Sequence, residues 1–376
     1  MKSENVKPSS PIIFSSRVRA LNRIDGLKQM AFKEGKFDGF LIFNGANLIY
    51  FTGFSGASAL LIPKNGENTL YVYGVNFEQA KAEGSGFRVE LVKRDENLMA
   101  KVAKQAGGFE IKKLVVDALN VESWRALAKS IGGEKRLEAD NSFIRELRKV
   151  KDEKEIEFMR KAAELTSEGM SVAYETVKPG VKEYKVAAEI EYAMRKRGSY
   201  GTGFETIVAS GPCSAFPHGG CSGREIREGD LVVVDVGATY KFYRSDMTRT
   251  LVAGKPSEKQ KKLYQVVKTA QAKALEATKP NVKAKHVDAV ARKLIEDAGF
   301  GEYFVHNLGH GVGLEVHEPP TLGPDSKETL AVGNVVTDEP GIYLVGYGGV
   351  RIEDTVLVQK DGVEKLTVGP YSLSAE

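Results

Sequence analysis

Histidines are rare in this chain of 376 residues, and three of its five lie in one glycine-rich stretch. The stretch is HNLGHGVGLEVHEPP, residues 306–320, and it contains His306, His310 and His317. His306 and His310 are four residues apart, a spacing that would make a metal clip on a helix. However, Gly309, Gly311 and Gly313 would each cost roughly 1 kcal/mol in a helix, so a strand is predicted. In a strand His306 and His310 share one face and His317 takes the other, unless a bulge intervenes.

Two carboxylates precede this histidine stretch in the chain, and two follow it. Asp235 lies inside the apolar run DLVVVDVGA, and Asp246 follows in SDMTRT. A strand, a short turn and a returning strand would place these two side chains about 5 Å apart across the ladder. Glu339 ends a second apolar run, and Glu353 follows within GVRIEDTVLV, inside a predicted strand. The pattern therefore predicts two hairpins that each carry two inward carboxylates.

A buried set of carboxylates needs a positive partner. Burying an ionised carboxylate is costly unless it is paired or binds a metal, and two side by side also repel each other. One histidine with four carboxylates is an oxygen-rich ligand set, which favours Mn²⁺, Co²⁺ or Fe²⁺ over a structural zinc site made of sulfur and nitrogen. Four carboxylates can hold two metal ions about 3.5–4 Å apart with a hydroxide between them.

The elements that must position these residues fall into two predicted domains. Residues 1–145 alternate helices with short apolar strands, among them NLIYFTG (47–53), and this order is typical of an α/β domain. Residues 142–176 carry apolar side chains at helical spacing, as one long helix or two, and the domain boundary is predicted here. The second domain, 146–376, combines helices with glycine-rich strands. An α+β fold is expected, with helices covering one face of a mostly antiparallel sheet.

Composition argues against several classes of function. The chain is 42% apolar and 28% charged, with a net charge of +4 and no dense basic stripe, so a nucleic-acid partner is not expected. No apolar run approaches the roughly 20 residues that span a membrane. Two cysteines, Cys213 and Cys221, indicate a reducing compartment rather than a disulfide scaffold, and a cytoplasmic protein is expected.

The order of the candidate ligands resembles that of the pita-bread dinuclear metallopeptidases. The residues of this series are, in chain order, Asp235, Asp246, His310, Glu339 and Glu353. The phrases SGPCSAFPHGG, VVVDVGATYKFYRSDMTRT, GHGVGLEVHE, TDEPGIY and GVRIED are similar to the branch of Xaa-Pro aminopeptidases and Xaa-Pro dipeptidases (prolidases). The resemblance covers nearly all of residues 150–376. LIFNGANLIYFTGFSG also resembles the creatinase-type N-terminal domain of that branch. A pita-bread catalytic domain, an α/β creatinase-type N-terminal domain and a homodimer are implied.

The resemblance implies a role for each ligand. Asp235 would chelate one metal ion, and Asp246 and Glu353 would each bridge both ions. His310 would bind the second metal ion. Glu339 would bind a metal ion and also relay a proton from the attacking water. The implied cofactors are two divalent metal ions per chain, with Mn²⁺ or Co²⁺ favoured and Fe²⁺ or Zn²⁺ as further candidates.

Four residues outside the ligand set also receive expectations. The resemblance implies that His218, in FPHGG, and His317 hydrogen-bond the substrate and the tetrahedral intermediate. His306 is expected either to support the ligands or substrate or simply to pack. Arg351 is expected to be a partner of the acidic cluster.

The implied activity is that of a metal-dependent exopeptidase. A metal-bridging hydroxide would hydrolyse the peptide bond between an N-terminal residue and proline in short proline-containing peptides. Two departures affect the pocket: Cys213 stands where the family often has Asn, and Thr321 stands in HEPPTLGP where some prolidases have an Arg. Without that cation the dipeptidase and the aminopeptidase are nearly even, and this residue alone favours the aminopeptidase slightly. The alternatives are a non-catalytic pita-bread binding module and a creatinase-like C–N hydrolase, relatives that have usually lost ligands present here.

Overall fold

The computed structural model describes residues 11–33, 35–84 and 86–374. The chain folds into two compact units, Met1–Leu147 and Arg148–Glu376. No helix of the described residues is both long enough and apolar enough to cross a membrane.

The first unit is built on one mixed sheet. Its strands are β1 (Gly39–Ile42), β2 (Ala59–Pro63), β3 (Thr69–Tyr73), β4 (Arg88–Val92), β5 (Leu114–Val116) and β6 (Leu137–Ala139). Its helices are α1 (Pro11–Ala31), α2 (Gly45–Thr52), α3 (Gly74–Glu83), α4 (Leu98–Gly108), α5 (Val121–Ile131) and α6 (Ser142–Lys149), which crosses into the second unit. The sheet order is β4-β3-β2-β1-β5-β6, and β2 is antiparallel to both neighbours while the other pairs are parallel. The α/β prediction is confirmed.

One predicted strand of this unit is wrong. NLIYFTG, residues 47–53, belongs to helix α2 and its C-terminal cap. The Asn44 side chain accepts a hydrogen bond from the Asn47 N–H, and Gly53 ends the helix with φ of 70°. Such N-cap and C-cap residues satisfy backbone groups that the helix leaves unpaired. They outweigh the strand preference of the aromatic residues between them.

The second unit consists of four long helices and many short strands. The helices are α7 (Glu153–Thr176), α8 (Glu183–Lys196), α9 (Glu258–Ala277) and α10 (Ala284–Asp297). The strands are β7 (Gly201–Thr202), β8 (Ile207–Ser210), β9 (Leu231–Val236), β10 (Ala238–Tyr240), β11 (Tyr243–Arg244), β12 (Met247–Val252), β13 (Gly309–Gly311), β14 (Glu318–Leu322), β15 (Val335–Asp338), β16 (Gly341–Leu344), β17 (Gly348–Arg351), β18 (Asp354–Gln359) and β19 (Gly362–Lys365).

The helices of the second unit begin at local capping signals. Residues 142–176 form two helices, α6 and α7, because Asp152 and Glu155 make a capping box that begins α7. Ser257 and Gln260 make a second capping box at the start of α9. In each box two side chains satisfy two backbone N–H groups reciprocally. The sequence pattern of Ser257 and Gln260 predicts the start of α9, whereas the sequence leaves one helix or two open for residues 142–176.

The second unit contains two similar helix-on-sheet halves. Helices α7 and α8 share one apolar core with the sheet β12-β9-β8. Helices α9 and α10 share another with strands of the sheet β14-β13-β15-β18-β19 and with the hairpin β16-β17. The named strand pairs of this unit are antiparallel. The α+β prediction is confirmed.

Candidate metal centre

Strands β9 and β12 carry the first two carboxylates, in a register that differs from the prediction. Asp235 lies on β9 directly opposite Thr248 of β12, and Asp246 immediately precedes β12. The two aspartates are therefore diagonal neighbours on one face and not a directly opposed pair. The hairpin β10-β11 lies between β9 and β12 in the chain, which shifts the return strand by two residues. Their side chains still interact directly, because Asp235 is among the groups that perturb Asp246.

The second pair, Glu339 and Glu353, lies next to strands β15 and β18: Glu339 directly follows β15, and Glu353 directly precedes β18. The last register pair of this ladder is Asp338 with Asp354, so Glu339 and Glu353 face each other just beyond it. Glu353 was predicted inside a strand, but it lies in the break between β17 and β18. It gains its position from contacts with β12 instead of from a ladder of its own. The Thr248 hydroxyl donates to a Glu353 carboxylate oxygen at 2.6 Å, and the Glu353 N–H donates to the Thr248 carbonyl at 3.0 Å.

His310 lies on strand β13, as the glycines around it predict, and its imidazole points at these carboxylates. Its Nδ1 is 3.1 Å from the Gly311 carbonyl, which can accept only from a protonated ring nitrogen. Its Nε2 then faces Glu339 at 3.2 Å and Asp246 at 3.8 Å. A backbone carbonyl that orients the far nitrogen is the usual support of a metal-binding histidine. A side chain at Gly309 would clash with the Thr337 carbonyl, so close strand packing requires this glycine.

The five predicted ligands therefore form one cluster, with orphaned oxygen atoms inside it. Ligand atoms of Asp246, His310 and Glu353 all lie within 4.8 Å of one another. One buried oxygen each of Asp235 and Asp246 has no hydrogen-bond partner among the residues that the structure describes. Buried carboxylate oxygens without donors are destabilising unless a cation neutralises them. The donor set, four carboxylates and one imidazole, fits divalent metal ions.

The electrostatics of the cluster lead to the same conclusion. Burial raises the pKa of Asp246 well above its ordinary value, and repulsion from Asp235 adds to the shift. Burial and the charge of Asp246 likewise raise the pKa of Glu353. Burial opposes ionisation of Glu339 as well, but the hydrogen bond with His310 and the charges of His310, His306 and Arg351 together outweigh burial and lower the pKa of Glu339 to about 2. The same contact overcomes burial at His310 and raises the pKa of its imidazole to about 9. A cation in the cluster would stabilise the ionised carboxylates, which burial and mutual repulsion destabilise.

Arg351 lies against the cluster, as predicted. One of its terminal nitrogens donates to Asp235 at 2.7 Å, and its Nε donates to the Thr248 hydroxyl at 3.1 Å. Another donates to the Tyr343 hydroxyl at 2.8 Å. The same nitrogen donates to the carbonyl of Pro217 at 3.3 Å, next to His218. Arg351 thus joins the ligand strands to the turn that carries a predicted substrate-binding histidine.

His218, His306 and His317 are the other histidines with predicted roles at the site. The ring of His317 lies 4.2 Å from that of His310 between centroids, because the chain turns back between β13 and β14. Strand β13 covers only Gly309–Gly311 and contains a register shift, so His317 lies outside it and the prediction of opposite faces, which excepted a bulge, does not apply. His218 lies exposed in the turn that follows the 3₁₀ helix Gly211–Ala215. His306 Nε2 lies 2.9 Å from the Tyr343 hydroxyl, and its ring packs edge-on against Phe304. The contact with Tyr343 is consistent with a role of His306 in supporting the site, and the contact with Phe304 is consistent with a packing role.

Sequence reasoning missed three supporting side chains. Thr248 donates to Glu353, and Thr337 donates to Glu339 at 3.0 Å while accepting from the His310 N–H at 3.0 Å. Tyr343 joins His306 to Arg351. Threonine and tyrosine within strands are ordinary strand formers. The available signal was their spacing of two residues from a candidate ligand. At this spacing Thr248 shares the strand face of Asp246, and Thr337 shares that of Glu339.

Comparison with known proteins places the chain in a family. Residues 157–360 match metallopeptidase family M24, and residues 23–150 match the creatinase/prolidase N-terminal domain. The chain belongs to metallopeptidase family M24. It is thus a hydrolase of a metal-dependent peptidase family, and the expected pita-bread catalytic domain with a creatinase-type N-terminal domain is confirmed.

Three relatives illustrate the similarity. The Xaa-Pro dipeptidase of Pyrococcus horikoshii is 43% identical over 335 residues, which cover 89% of this chain and 93% of that protein. The structure of an Xaa-Pro dipeptidase from Bacillus anthracis has a TM-score of 0.90 at 36% identity and covers 94% of this chain and 99% of its own. The structure of an X-Pro aminopeptidase from Thermotoga maritima has a TM-score of 0.82 at 37% identity, with coverages of 90% and 97%.

Proposed function

We propose that this metallopeptidase is an Xaa-Pro dipeptidase, which hydrolyses the bond between an N-terminal residue and proline. The observation that carries the proposal is the group of Asp246, His310 and Glu353, whose ligand atoms lie within 4.8 Å of one another. Glu339 contacts His310 at 3.2 Å, and Asp235 and Asp246 each have one buried oxygen without a partner among the described residues. The dipeptidase names of the Pyrococcus and Bacillus relatives support the substrate class. Two divalent metal ions per chain, Mn²⁺ or Co²⁺, are the proposed cofactors.

The proposed chemistry divides the work between bound ions and the chain. When bound, two divalent cations would polarise the scissile carbonyl and lower the pKa of a shared water. Glu339 would take the proton of the attacking water and pass it to the leaving nitrogen. The Asp246 carboxylate would receive the free N-terminal amine, which makes the enzyme an exopeptidase. His218 and His317 lie on the exposed side, where they would donate to the developing oxyanion.

A second candidate is an Xaa-Pro aminopeptidase, which acts on longer peptides. The segment that follows His317 holds Thr321 and no arginine before Pro324. Because this segment contains no basic side chain, it offers no cation to the C-terminal carboxylate of a dipeptide. The Thr321 N–H is itself occupied, since it donates to Glu328 at 2.8 Å. The similarity to the Thermotoga aminopeptidase is consistent with this candidate.

One assay separates the candidates. Metal-stripped protein receives Mn²⁺ or Co²⁺ and is given Ala-Pro and Ala-Pro-Ala in parallel, with free alanine as the readout. We expect metal-dependent release of alanine from Ala-Pro. Preference for Ala-Pro-Ala would instead make the protein an Xaa-Pro aminopeptidase. Release from neither peptide, with two metal ions bound, would disprove the substrate class and leave the metal centre standing.

Metal content and assembly complete the proposal. Two equivalents of Mn²⁺ or Co²⁺ per chain, measured by elemental analysis after gel filtration, would favour the peptidase over a non-catalytic module or a creatinase-like hydrolase. Absence of bound metal would contradict the proposal. A homodimer is proposed from the family resemblance, and light scattering during gel filtration measures it. The cytoplasmic location stays a prediction from the two cysteines, which are both free.

A further inference from the structure

An arginine lies fully enclosed behind the candidate metal centre. Arg249 lies on strand β12 between Thr248 and Thr250 and is 0% exposed. Its neighbours Thr248 and Thr250 point their hydroxyls at Glu353 and at the Arg351 carbonyl on the side of the ligands. Side chains alternate along a strand, so Arg249 points to the opposite face. A buried arginine at this place needs an explanation, because removing a guanidinium from water is costly.

The guanidinium of Arg249 donates mainly to backbone carbonyls. One terminal nitrogen donates both to the Thr248 carbonyl at 3.0 Å and to the Glu353 carbonyl at 2.6 Å. The Nε donates to the Pro370 carbonyl at 2.9 Å. The other terminal nitrogen donates to Asp354 at 2.9 Å. Three of these four hydrogen bonds would be absent if the side chain merely balanced the charge of Asp354.

The contact with Glu353 matters because of where that residue lies. Glu353 stands in the break between β17 and β18, so no regular ladder determines its backbone position. Its N–H is held by the Thr248 carbonyl, its carbonyl by Arg249 and its carboxylate by the Thr248 hydroxyl. Two consecutive residues of β12 therefore hold Glu353 at three points. Of these contacts, the one made by Arg249 comes from the face opposite to the ligands.

Asp354 aims the guanidinium. Its carboxylate accepts from Arg249 and Thr367 on one oxygen and from Gln271 on the other, at 2.9, 3.1 and 2.9 Å. Asp354 is 0% exposed, so these bonds are shielded from water. Lysine could supply the positive charge. However, it has a single nitrogen and lacks the rigid planar fork that reaches a carboxylate and three carbonyls together.

We propose that Arg249 is a positioning residue for the metal centre, which acts by holding the backbone carbonyl of Glu353 and, through the backbone, keeps its carboxylate in the ligating position. This inference rests on the proposed function, in which Glu353 is a metal ligand. In the interactions that the structure describes, Arg249 donates to no side-chain atom of the candidate ligands. Its loss should leave the second unit folded but let the 352–353 break relax. The affinity for metal ions should then fall before the protein unfolds.

The test compares metal binding by Arg249 variants with that of a matched arginine. Arg224 also pairs with an aspartate, Asp230 at 2.6 Å, in the same unit, but it contacts none of the predicted ligands in the interactions that the structure describes. Wild type, Arg249→Met, Arg249→Lys and Arg224→Met are stripped of metal and titrated with Mn²⁺ by calorimetry. Each is also loaded with Co²⁺, whose visible absorption spectrum reports ligand geometry. Circular dichroism and thermal unfolding check the fold.

The expected result is a split between the two arginines. Removal of an outer support of a metal ligand typically weakens metal binding about 10–100-fold, so we expect a loss of this size in Arg249→Met and a smaller loss in Arg249→Lys. The Co²⁺ spectrum should change in both. Arg224→Met should bind Mn²⁺ as wild type does, whatever its thermal stability.

Other outcomes have defined meanings. Folded Arg249 variants with wild-type Mn²⁺ affinity and Co²⁺ spectrum would overturn the inference. Wild-type protein that binds no divalent ion would instead overturn the proposed function. If neither Arg249 variant folds, Asp354→Asn, which keeps the guanidinium but removes the charge that aims it, decides by the same two readouts. An unchanged Asp354→Asn affinity and spectrum would then count against the inference.

Discussion

The rings of His310 and His317 lie 4.2 Å apart between centroids, with their planes inclined by 62°. His310 directs its Nε2 towards Glu339 and Asp246, whereas His317 lies on the exposed side of the pair. Two histidines from one glycine-rich stretch thus present different sides of the same site. The inner one has the surroundings of a ligand, and the outer one has the access that a substrate contact requires.

Substitution of the outer histidine should separate catalysis from metal binding. We expect His317→Ala to lower kcat by about 100-fold, within the range found for removal of one oxyanion donor. Metal content by elemental analysis should stay at the wild-type value. His286→Ala, an exposed histidine of α10, is the matched control and should leave both quantities unchanged. Loss of metal from His317→Ala would show that this histidine is a ligand.

Neutral substitutions of the ligands should remove activity. Glu339→Gln and Asp246→Asn keep side-chain size but remove the charge that holds a cation. Since loss of outer supports alone costs about 10–100-fold in affinity or activity, we expect kcat to fall by more than about 100-fold in both. Asp338→Asn is a sharp control, because Asp338 is the chain neighbour of Glu339 but belongs to the opposite face of β15. Wild-type turnover in the Glu339 and Asp246 variants would rule out the proposed mechanism.

A buried ion pair beside His317 should govern part of the acid stability. Glu318 pairs with Lys151 at 2.8 Å and with Arg148, and its side chain is 3% exposed. Burial alone would raise the pKa of Glu318, but the two cations outweigh it and lower the pKa below the ordinary 4.5. A carboxylate with a depressed folded-state pKa stabilises the protein above its unfolded-state pKa, and this contribution is lost as pH falls through the folded-state value.

The measurement is urea unfolding of metal-stripped protein from pH 7 down to pH 3. Breaking one partner of a buried pair costs about 3–5 kcal/mol, so Glu318→Gln should lose about this much at pH 7. The difference from wild type should shrink at pH values below about 4. Glu315→Gln serves as control, because Glu315 also pairs with Arg148 but is 41% exposed. A difference that is independent of pH would show that Glu318 contributes by packing alone.

A buried aspartate on the reverse face of the ligand strands should reduce stability. Asp338 is 0% exposed, and neither of its carboxyl oxygens has a hydrogen-bond partner among the described residues. Burial, followed by the charge of Asp354 across the ladder, raises its pKa. An unsatisfied buried polar group costs about 1–3 kcal/mol. We therefore expect the similarly shaped Asp338→Leu to raise the free energy of unfolding by about that amount in metal-stripped protein.

The cross-strand partner provides the opposite outcome. Asp354→Leu should lower the free energy of unfolding, because it leaves the guanidinium of Arg249 buried without its carboxylate. Both variants are compared with wild type by urea unfolding at pH 7. A stabilising effect of Asp354→Leu would contradict the stabilising role given to Asp354. A destabilising effect of Asp338→Leu would contradict the destabilising role given to Asp338.

Local signals in the sequence are reliable where the responsible groups are close along the chain. The capping boxes at Asp152 and Ser257 predict helix starts, because the donor and acceptor lie three residues apart. Residues 47–53 show the limit of strand propensity, since their aromatic residues favour a strand whereas the caps at Asn44 and Gly53 hold a helix. Here the two local signals conflict, and capping outweighs propensity.

The identities of the candidate ligands follow from the sequence alone. A charged residue within an apolar run, as at Asp235, is costly to bury, and that cost makes its presence informative. Four such carboxylates around a histidine stretch predict cations without any knowledge of distances. Sequence therefore determined which residues are the candidate ligands and which chemistry they favour.

Tertiary structure decided how those residues meet. Whether Asp235 faces Asp246 or Thr248 depends on a register set by the hairpin between β9 and β12. The approach of His317 to His310 depends on a turn, and the support of Glu353 by Thr248 and Arg249 joins residues more than 100 positions apart. Spacing along a chain carries no information on such contacts. They arise when packed strands bring distant side chains and carbonyls within hydrogen-bonding distance.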